Sequence, residues 1–281
     1  MGKFSDILLT VDFDRTLTAP DSSIPEENLR AIEYFMAEGG AFTLNTGRSL
    51  PMVAELMVRI PVNAPLLLYN GSAAYDWQKQ AFTFQHPIDL NWVDAVKRCR
   101  ELLPDLTVEI QGANAHYILG EDPVWAAFTQ ANRCPWAYVT EEDVIDPFLK
   151  FTVYGKITQN NVAHLFDATP EEQAQIDEAE VVLNREFGEK TSIFRAARRI
   201  IDLHSKGVSK GRSARELQQK LGRKILVCVG DGENDLTMLD MADHAYCPAD
   251  AVIRERYENV CPCAEGAVAD VIRNKLPEIL K

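Results

Sequence analysis

The sequence has no apolar run long enough to cross a membrane: runs such as Ile225 to Val229 and Leu66 to Tyr69 fall far short of the roughly 20 residues such a helix needs. Basic residues are scarce. Lysine and arginine number 29 against 42 acidic residues, a formal charge of −13, which opposes general binding to nucleic acid or to an anionic membrane because no long-range positive field gathers the partner. Cysteine is thinly spread, with six residues (Cys99, Cys134, Cys228, Cys247, Cys261, Cys263) in 281, so free thiols are expected in place of a disulfide framework. Cys261-Pro262-Cys263 lacks the second pair a structural zinc site needs, and the histidines (His86, His116, His164, His204, His244) stand apart from one another. Residues 1 to 6 lack the basic-then-apolar build of a signal peptide, and Asp6 stands where a myristoylation pattern requires Ser or Thr, so a cytoplasmic protein is expected. No internal repeat or low-complexity tract is present.

What is there suffices for large α/β cores, since 46% of the residues are apolar. Ile7 to Val11 reads as a buried strand ending at Asp12. Ser23-Ile24-Pro25-Glu26 offers a capping-box-like helix start, Leu29, Ile32 and Met36 follow near helical spacing, and Gly39-Gly40 stops the helix. Ala41 to Leu44 reads as a second strand, Met52 to Val58 as a second helix and Leu66 to Tyr69 as a third strand. This βαβαβ order predicts a parallel sheet. The same rhythm returns near the C-terminus, with a helix over Ser209 to Leu221, a strand over Ile225 to Val229, a helix from Asn234, and an apolar segment from Val268 to Leu276. Between them the texture changes to aromatic-rich segments, Pro87, Pro104, Pro123, Pro135 and Pro147, and a hairpin through Ser192 to Ala196 and Arg199 to Leu203. The expected architecture is a doubly wound, Rossmann-like parallel core formed by 1–82 and 205–281, with an inserted α/β domain over 83–204.

Four segments carry chemistry-bearing residues at strand ends or helix starts. Asp12-Phe13-Asp14 places two carboxylates two positions apart, so an extended chain would point both the same way. Like charges so close raise one another's pKa unless a cation or hydrogen-bond donors intervene, which suits a hard divalent ion. Turn chemistry at a strand end explains the same residues on their own. Gly230-Asp231-Gly232-Glu233-Asn234-Asp235 gathers further carboxylates after a second strand, on the sheet edge where open α/β folds place their ligands. Asn45-Thr46-Gly47-Arg48 brings a hydroxyl, backbone N–H groups and a guanidinium to the end of another strand. Finally, Lys206-Gly207-Val208-Ser209-Lys210-Gly211 precedes a helix; its local chemistry does not choose between Lys206 and Lys210 as a phosphoryl-neutralising cation.

In this order the segments resemble the haloacid dehalogenase superfamily, and within it the Cof-type phosphatases. Asp12-Phe13-Asp14-Arg15-Thr16 is similar to the first motif, Thr46 to the second, Lys210 in Val-Ser-Lys-Gly to the third, and Gly-Asp231-Gly-Glu-Asn234-Asp235 to the fourth; Asn70-Gly71 and Glu265-Gly266-Ala267-Val268 also fit. Arg15 departs from the usual glycine, and would be strained if the turn requires a positive φ. The resemblance implies a haloacid dehalogenase-type phosphatase with a large α/β cap, acting on small phosphorylated metabolites such as sugar phosphates, as a monomer or homodimer. It implies Asp12 as nucleophile forming an aspartyl-phosphate and Asp14 as general acid, then base. Mg²⁺ would be held by Asp12, the Asp14 backbone carbonyl and Asp231, with Asp235 supporting. Thr46 and Lys210 would hold the phosphoryl oxygens, Asn234 would donate beside them, and Gly47, Arg48, Asn70 and Gly71 are candidate substrate contacts. A sugar phosphomutase, an Asp-phosphorylated signalling domain and a silent phosphate-binding protein are the alternatives. Asn114, His116, Trp125 and Lys150 are candidates for setting specificity from the cap.

Overall fold

The computed structural model describes residues 2–131, 134–156 and 168–280; His164 lies outside them. The elements run β1 (Ile7–Val11), α1 (Glu26–Ala37), β2 (Ala41–Leu44), α2 (Leu50–Ala54), β3 (Leu66–Leu68), β4 (Ala73–Asp76), β5 (Ala81–Gln85), α3 (Trp92–Leu102), β6 (Thr107–Gly112) and β7 (His116–Leu119). There follow α4 (Pro123–Ala131), β8 (Trp136–Val139), β9 (Phe148–Tyr154), α5 (Pro170–Phe187), β10 (Thr191–Ala197), β11 (Ile200–Ser205), α6 (Lys210–Lys220) and β12 (Ile225–Val229). The chain ends with α7 (Leu236–Asp240), β13 (His244–Pro248), β14 (Glu258–Val260), α8 (Ala267–Asp270) and α9 (Leu276–Ile279). Two compact units result: Met1–Gly47, Leu56–Phe84 and Ser209–Lys281 form the first, and Arg48–Glu55 with Gln85–Val208 the second. The segment Arg48–Glu55, placed within 1–82 by sequence, thus groups with the inserted unit.

In the first unit five parallel strands lie in the order β14-β13-β12-β1-β2. All five residues of β1 are buried, Thr10 among its apolar neighbours, as a strand flanked on both sides in a parallel sheet requires. Helix α1 buries Ala31, Ile32 and Phe35, one stripe at helical spacing. The capping box expected at its start does not form, because Pro25 occupies the N-cap position and has no side-chain oxygen to accept a bond. The third expected parallel strand is corrected in part. β3 joins the parallel order only through an isolated bridge between Asn45 and Leu67, and its own ladder is antiparallel, with β4, in a separate three-stranded sheet. The second expected helix is shorter than Met52 to Val58: α2 ends at Ala54 and a 3₁₀ turn covers Leu56–Val58.

The second unit is a six-stranded sheet, β10-β11-β9-β6-β7-β8, and the expected hairpin is its β10–β11 pair. Val108, Ile110, Phe151, Val153, Ile201 and Leu203 turn one face of it toward Val96 and Cys99 of α3 and Ile176 and Leu183 of α5. Alternate residues put buried polar groups on the other face. Glu109 meets His116 Nδ1 at 2.6 Å and accepts from Gln111 and the Tyr154 hydroxyl; burial alone would raise its carboxyl, and these partners hold it below its usual range. His116 Nε2 lies 2.9 Å from Ser49 Oγ, and Lys150 pairs with Asp202 at 3.3 Å. Trp125 is fully buried against Phe128 and Tyr154, a core role, whereas Asn114 is exposed and held by Asp146.

One pH dependence follows from this polar face. Burial pulls the His204 imidazole down to about 4, with Asp202 opposing and Lys150 reinforcing the shift. The unfolded chain therefore binds a proton that the folded chain refuses between the unfolded value near 6.5 and the folded value. Stability from the neutral ring is complete above pH ~6.5 and is lost as the pH falls through that window, by ~3 kcal/mol at its lower end. Denaturant unfolding at pH 7 and pH 4.5 should show the natural chain losing more stability than His204→Leu; equal losses would contradict the assignment.

Candidate active site

The sheet register brings the chemistry-bearing segments to one edge. Val11 is paired with Val229 on one side and Leu44 on the other, so the next residues, Asp12, Gly230 and Asn45, leave the sheet together. Two backbone bonds fix this row: Asp12 donates to the Val229 carbonyl at 2.9 Å and Asn45 to the Val11 carbonyl at 2.9 Å. Beyond Asp12 the chain does not stay extended. A tight turn over Phe13–Leu17 closes when Leu17 donates back to the Asp12 carbonyl at 3.2 Å and Thr18 to the Phe13 carbonyl at 3.0 Å. Asp14 therefore sits in the turn, partly exposed, and Arg15 takes φ 58°, the positive value its departure from glycine had made questionable.

Asp12, Asp231 and Asp235 each offer an oxygen within 4.8 Å of the others, and Asp14's side chain is outside that cluster. The Lys210 ammonium, at the first residue of α6, donates to Asp12 Oδ1 and to Asp235 Oδ1, both at 2.6 Å. Lys210 and Asp235 are fully enclosed, which makes this a buried ionic triad. Burial would lower the lysine, but the two carboxylates more than offset it and its pKa is raised. Asp12 is pushed well above the usual carboxylate range, by burial first and by Asp235, Asp231 and Asp14, with Lys210 opposing. Asp231 rises to about 7 through burial and Asp235, while a hydrogen bond from Thr16 Oγ1 at 3.0 Å pulls the other way. One ammonium does not balance three clustered carboxylates, and an all-oxygen donor set with excess negative charge fits a hard divalent cation.

Asp235 has a second task. Its Oδ2 accepts the backbone N–H groups of Asp231 and Gly232, each at 3.0 Å, and so shapes the loop that carries Asp231. Beside the carboxylates lies a neutral polar group. Asn70 donates its backbone N–H to the Thr46 carbonyl at 3.0 Å, and Asn234 Nδ2 approaches Asn70 Oδ1 at 3.4 Å. A Cβ on Gly47 would stand 2.9 Å from Asn70 Oδ1, so a larger residue there would push that side chain aside. Gly71, at φ 96°, has a packing reason of its own: a Cβ there would meet the Ser209 carbonyl at 2.5 Å. It lets the loop sit on the start of α6.

The first unit thus brings together Asp12, Asp14, Thr46, Gly47, Asn70, Gly71, Lys210, Asp231, Asn234 and Asp235, while Arg48 belongs to the second unit. Lys206 is exposed and donates to the Gly188 and Thr191 carbonyls of the second unit, which leaves Lys210 as the cation of the cluster. Two supports were missed in the sequence. Asn45 Nδ2 holds the Lys210 carbonyl at 2.9 Å, and buried Asn28 ties the Leu17 carbonyl to the Ala269 N–H at 3.0 and 2.9 Å. Neither has a local pattern that would reveal its distant partner. The six cysteines form no disulfide.

A parallel sheet with this carboxylate–lysine edge, together with a second α/β unit inserted in the chain, defines a hydrolase class. The chain belongs to the haloacid dehalogenase-like hydrolases, whose sequence profile matches residues 9–272. It is 33% identical to a presumed phosphatase of Haemophilus influenzae over 89% of this chain and 87% of that one, and 22% identical to the HMP-PP phosphatase of Serratia proteamaculans over 96% and 95%. Among solved structures, the subclass IIB sugar phosphatase BT4131 superposes with a TM-score of 0.75 at 19% identity, covering 95% of this chain and 98% of that one. The family, fold and enzyme class expected from the sequence are those these comparisons show. No helix among the described residues is long and apolar enough to cross a membrane.

Proposed function

We propose that this hydrolase is a Mg²⁺-dependent phosphatase of small phosphomonoesters, sugar phosphates or similar metabolites, working through an aspartyl-phosphate on Asp12. The observation that carries the reading is the Asp12–Lys210–Asp235 triad beside Asp231, at a shared sheet edge with Thr46. The second unit, inserted in the chain between Thr46 and Lys210, is read as the cap. The phosphatase relatives and the sugar phosphatase among the structural neighbours support the substrate class.

Asp12 and Asp231, with the Asp14 carbonyl, would hold Mg²⁺, and Asp235 would keep the Asp231 loop in place through its two backbone bonds. When bound, the ion supplies the positive charge that one lysine cannot, and favours the ionised form of Asp12. The Asp12 carboxylate attacks phosphorus, and Asp14 gives a proton to the leaving oxygen. Thr46 and Lys210 hold the phosphoryl oxygens as charge shifts onto them. Asp14 then takes a proton from water as it attacks the acyl phosphate, which returns Asp12 and releases phosphate. Positioning and charge neutralisation carry most of such a reaction.

Purified protein is expected to release phosphate from a generic aryl phosphate with Mg²⁺, to lose this with EDTA, and to regain it on Mg²⁺ addition. Magnesium should also stabilise the fold by relieving the carboxylate cluster, by roughly 2.7 kcal/mol at a hundredfold excess over its dissociation constant, read as a higher melting temperature. Undiminished turnover in EDTA would exclude the metal-dependent reading.

A further inference from the structure

The turn that carries Asp12, Asp14 and Thr16 has a residue at its centre that the mechanism above leaves unused. Arg15 adopts φ 58° and ψ 15°, a left-handed conformation that strains an L-residue and costs a glycine almost nothing. Its backbone gains little that glycine would not also gain, since the one hydrogen bond it makes is from its N–H to Thr18 Oγ1 at 3.1 Å. Strain retained at such a position points to work done by the side chain.

That side chain is exposed, while Phe13, Thr16 and Leu17 around it are buried. Arg30, Arg98, Arg195 and Arg273 each hold a carboxylate, but among the described residues the Arg15 guanidinium has no hydrogen bond or ion pair. It stands in the turn between Asp14 and Thr16, whose hydroxyl donates to Asp231 Oδ1 at 3.0 Å. The other cation of the first unit's edge, Lys210, is committed to Asp12 and Asp235. Arg15 is therefore an uncommitted fork of donors beside the reacting carboxylates, on a chain whose net charge repels anions.

We propose that Arg15 is a specificity-determining residue that binds a second anionic group of the substrate, a carboxylate or a further phosphoryl, on the part that leaves with the alcohol oxygen. This rests on the phosphatase reading and narrows it, from phosphomonoesters in general to those with two anionic groups. Bidentate pairing of the planar guanidinium with either group supplies both affinity and orientation, and the ammonium of lysine reproduces only the charge.

The test compares the natural chain with Arg15→Gly and Arg15→Lys on paired probes with Mg²⁺: fructose 1,6-bisphosphate against fructose 6-phosphate, and 3-phosphoglycerate against p-nitrophenyl phosphate. The natural chain is expected to prefer the doubly anionic member of each pair. Arg15→Gly should lose that preference by about 10- to 100-fold in kcat/KM, mainly through KM, the loss that one charge-assisted contact entails. It should hydrolyse the singly anionic probes within a few-fold of the natural rate and melt no lower, since glycine takes φ 58° freely; Arg15→Lys should fall between the two. Equal losses on both members of a pair, no loss on either, or no preference in the natural chain would each overturn the role of Arg15. Failure to release phosphate from any probe would instead overturn the phosphatase reading.

Discussion

Asp12→Asn should abolish phosphate release, with a fall on the order of 10⁴-fold or more in kcat, because an amide cannot form the acyl phosphate on which both half-reactions depend. The fold should survive. In the natural chain Asp12 is buried beside Asp235 and Asp231, which push its carboxyl well above the usual range, so the ionised form is held against its own environment. Asparagine removes that repulsion while keeping an oxygen for the Lys210 ammonium, which retains Asp235 as its anionic partner at 2.6 Å. Thermal unfolding without Mg²⁺ should therefore show a melting temperature equal to or above that of the natural chain. A large loss of stability together with the loss of activity would mean that Asp12 is chiefly a structural anion.

Lys210→Ala tests the opposite balance and should damage both properties. Its ammonium is fully enclosed between two carboxylates, and removing it leaves Asp12 and Asp235 buried without their counter-charge. Breaking a buried ion pair from one side costs roughly 3–5 kcal/mol, about 10 °C in a chain of this size. Activity should fall at least about 10²- to 10³-fold, the scale for losing one fixed donor to developing charge. Lys206→Ala is the matched control, since that exposed side chain reaches only the Gly188 and Thr191 carbonyls. It should keep most activity and change stability by about 1 kcal/mol or less. If Lys206→Ala were the inactive variant, the third motif would have been placed on the wrong lysine.

The parts of the fold that could be read from sequence share one physical property. β1 and β12 are buried in a parallel sheet, so they appear as apolar runs broken only by Thr10, and the polar residues that follow them mark the candidate edge. Asp12, Asp231 and Thr46 stand out as candidates because each lies within two residues of the end of a buried strand. The pairing of β3 is harder to read, since Leu66–Leu68 looks the same whether its neighbours are parallel or antiparallel, and its ladder with β4 is antiparallel. Asp12 and Asp14 were expected on one side of an extended chain, an expectation that fails because the turn begins at Phe13. The two lysines around the start of α6 carry the same charge and similar flanks; what separates them is burial, 1% relative exposure for Lys210 against an exposed Lys206. Asn28 and Asn45 left no trace because their partners, Ala269 and Lys210, are far away in the chain. Arg15 was visible as a departure from the usual glycine, and the structure added that it bears a positive φ and an uncommitted guanidinium.

Trapping the covalent intermediate tests the account at its centre. The Asp14→Asn variant, in which water attack on the acyl phosphate lacks its base, would be mixed with an aryl phosphate and Mg²⁺, quenched in acid within one turnover, reduced with borohydride and digested for peptide mass spectrometry. Reduction converts an aspartyl-phosphate to homoserine, and the expected result is homoserine at position 12 and nowhere else. Homoserine at another aspartate, or a burst of released alcohol with residue 12 left as aspartate, would contradict the assignment of Asp12 as the nucleophile.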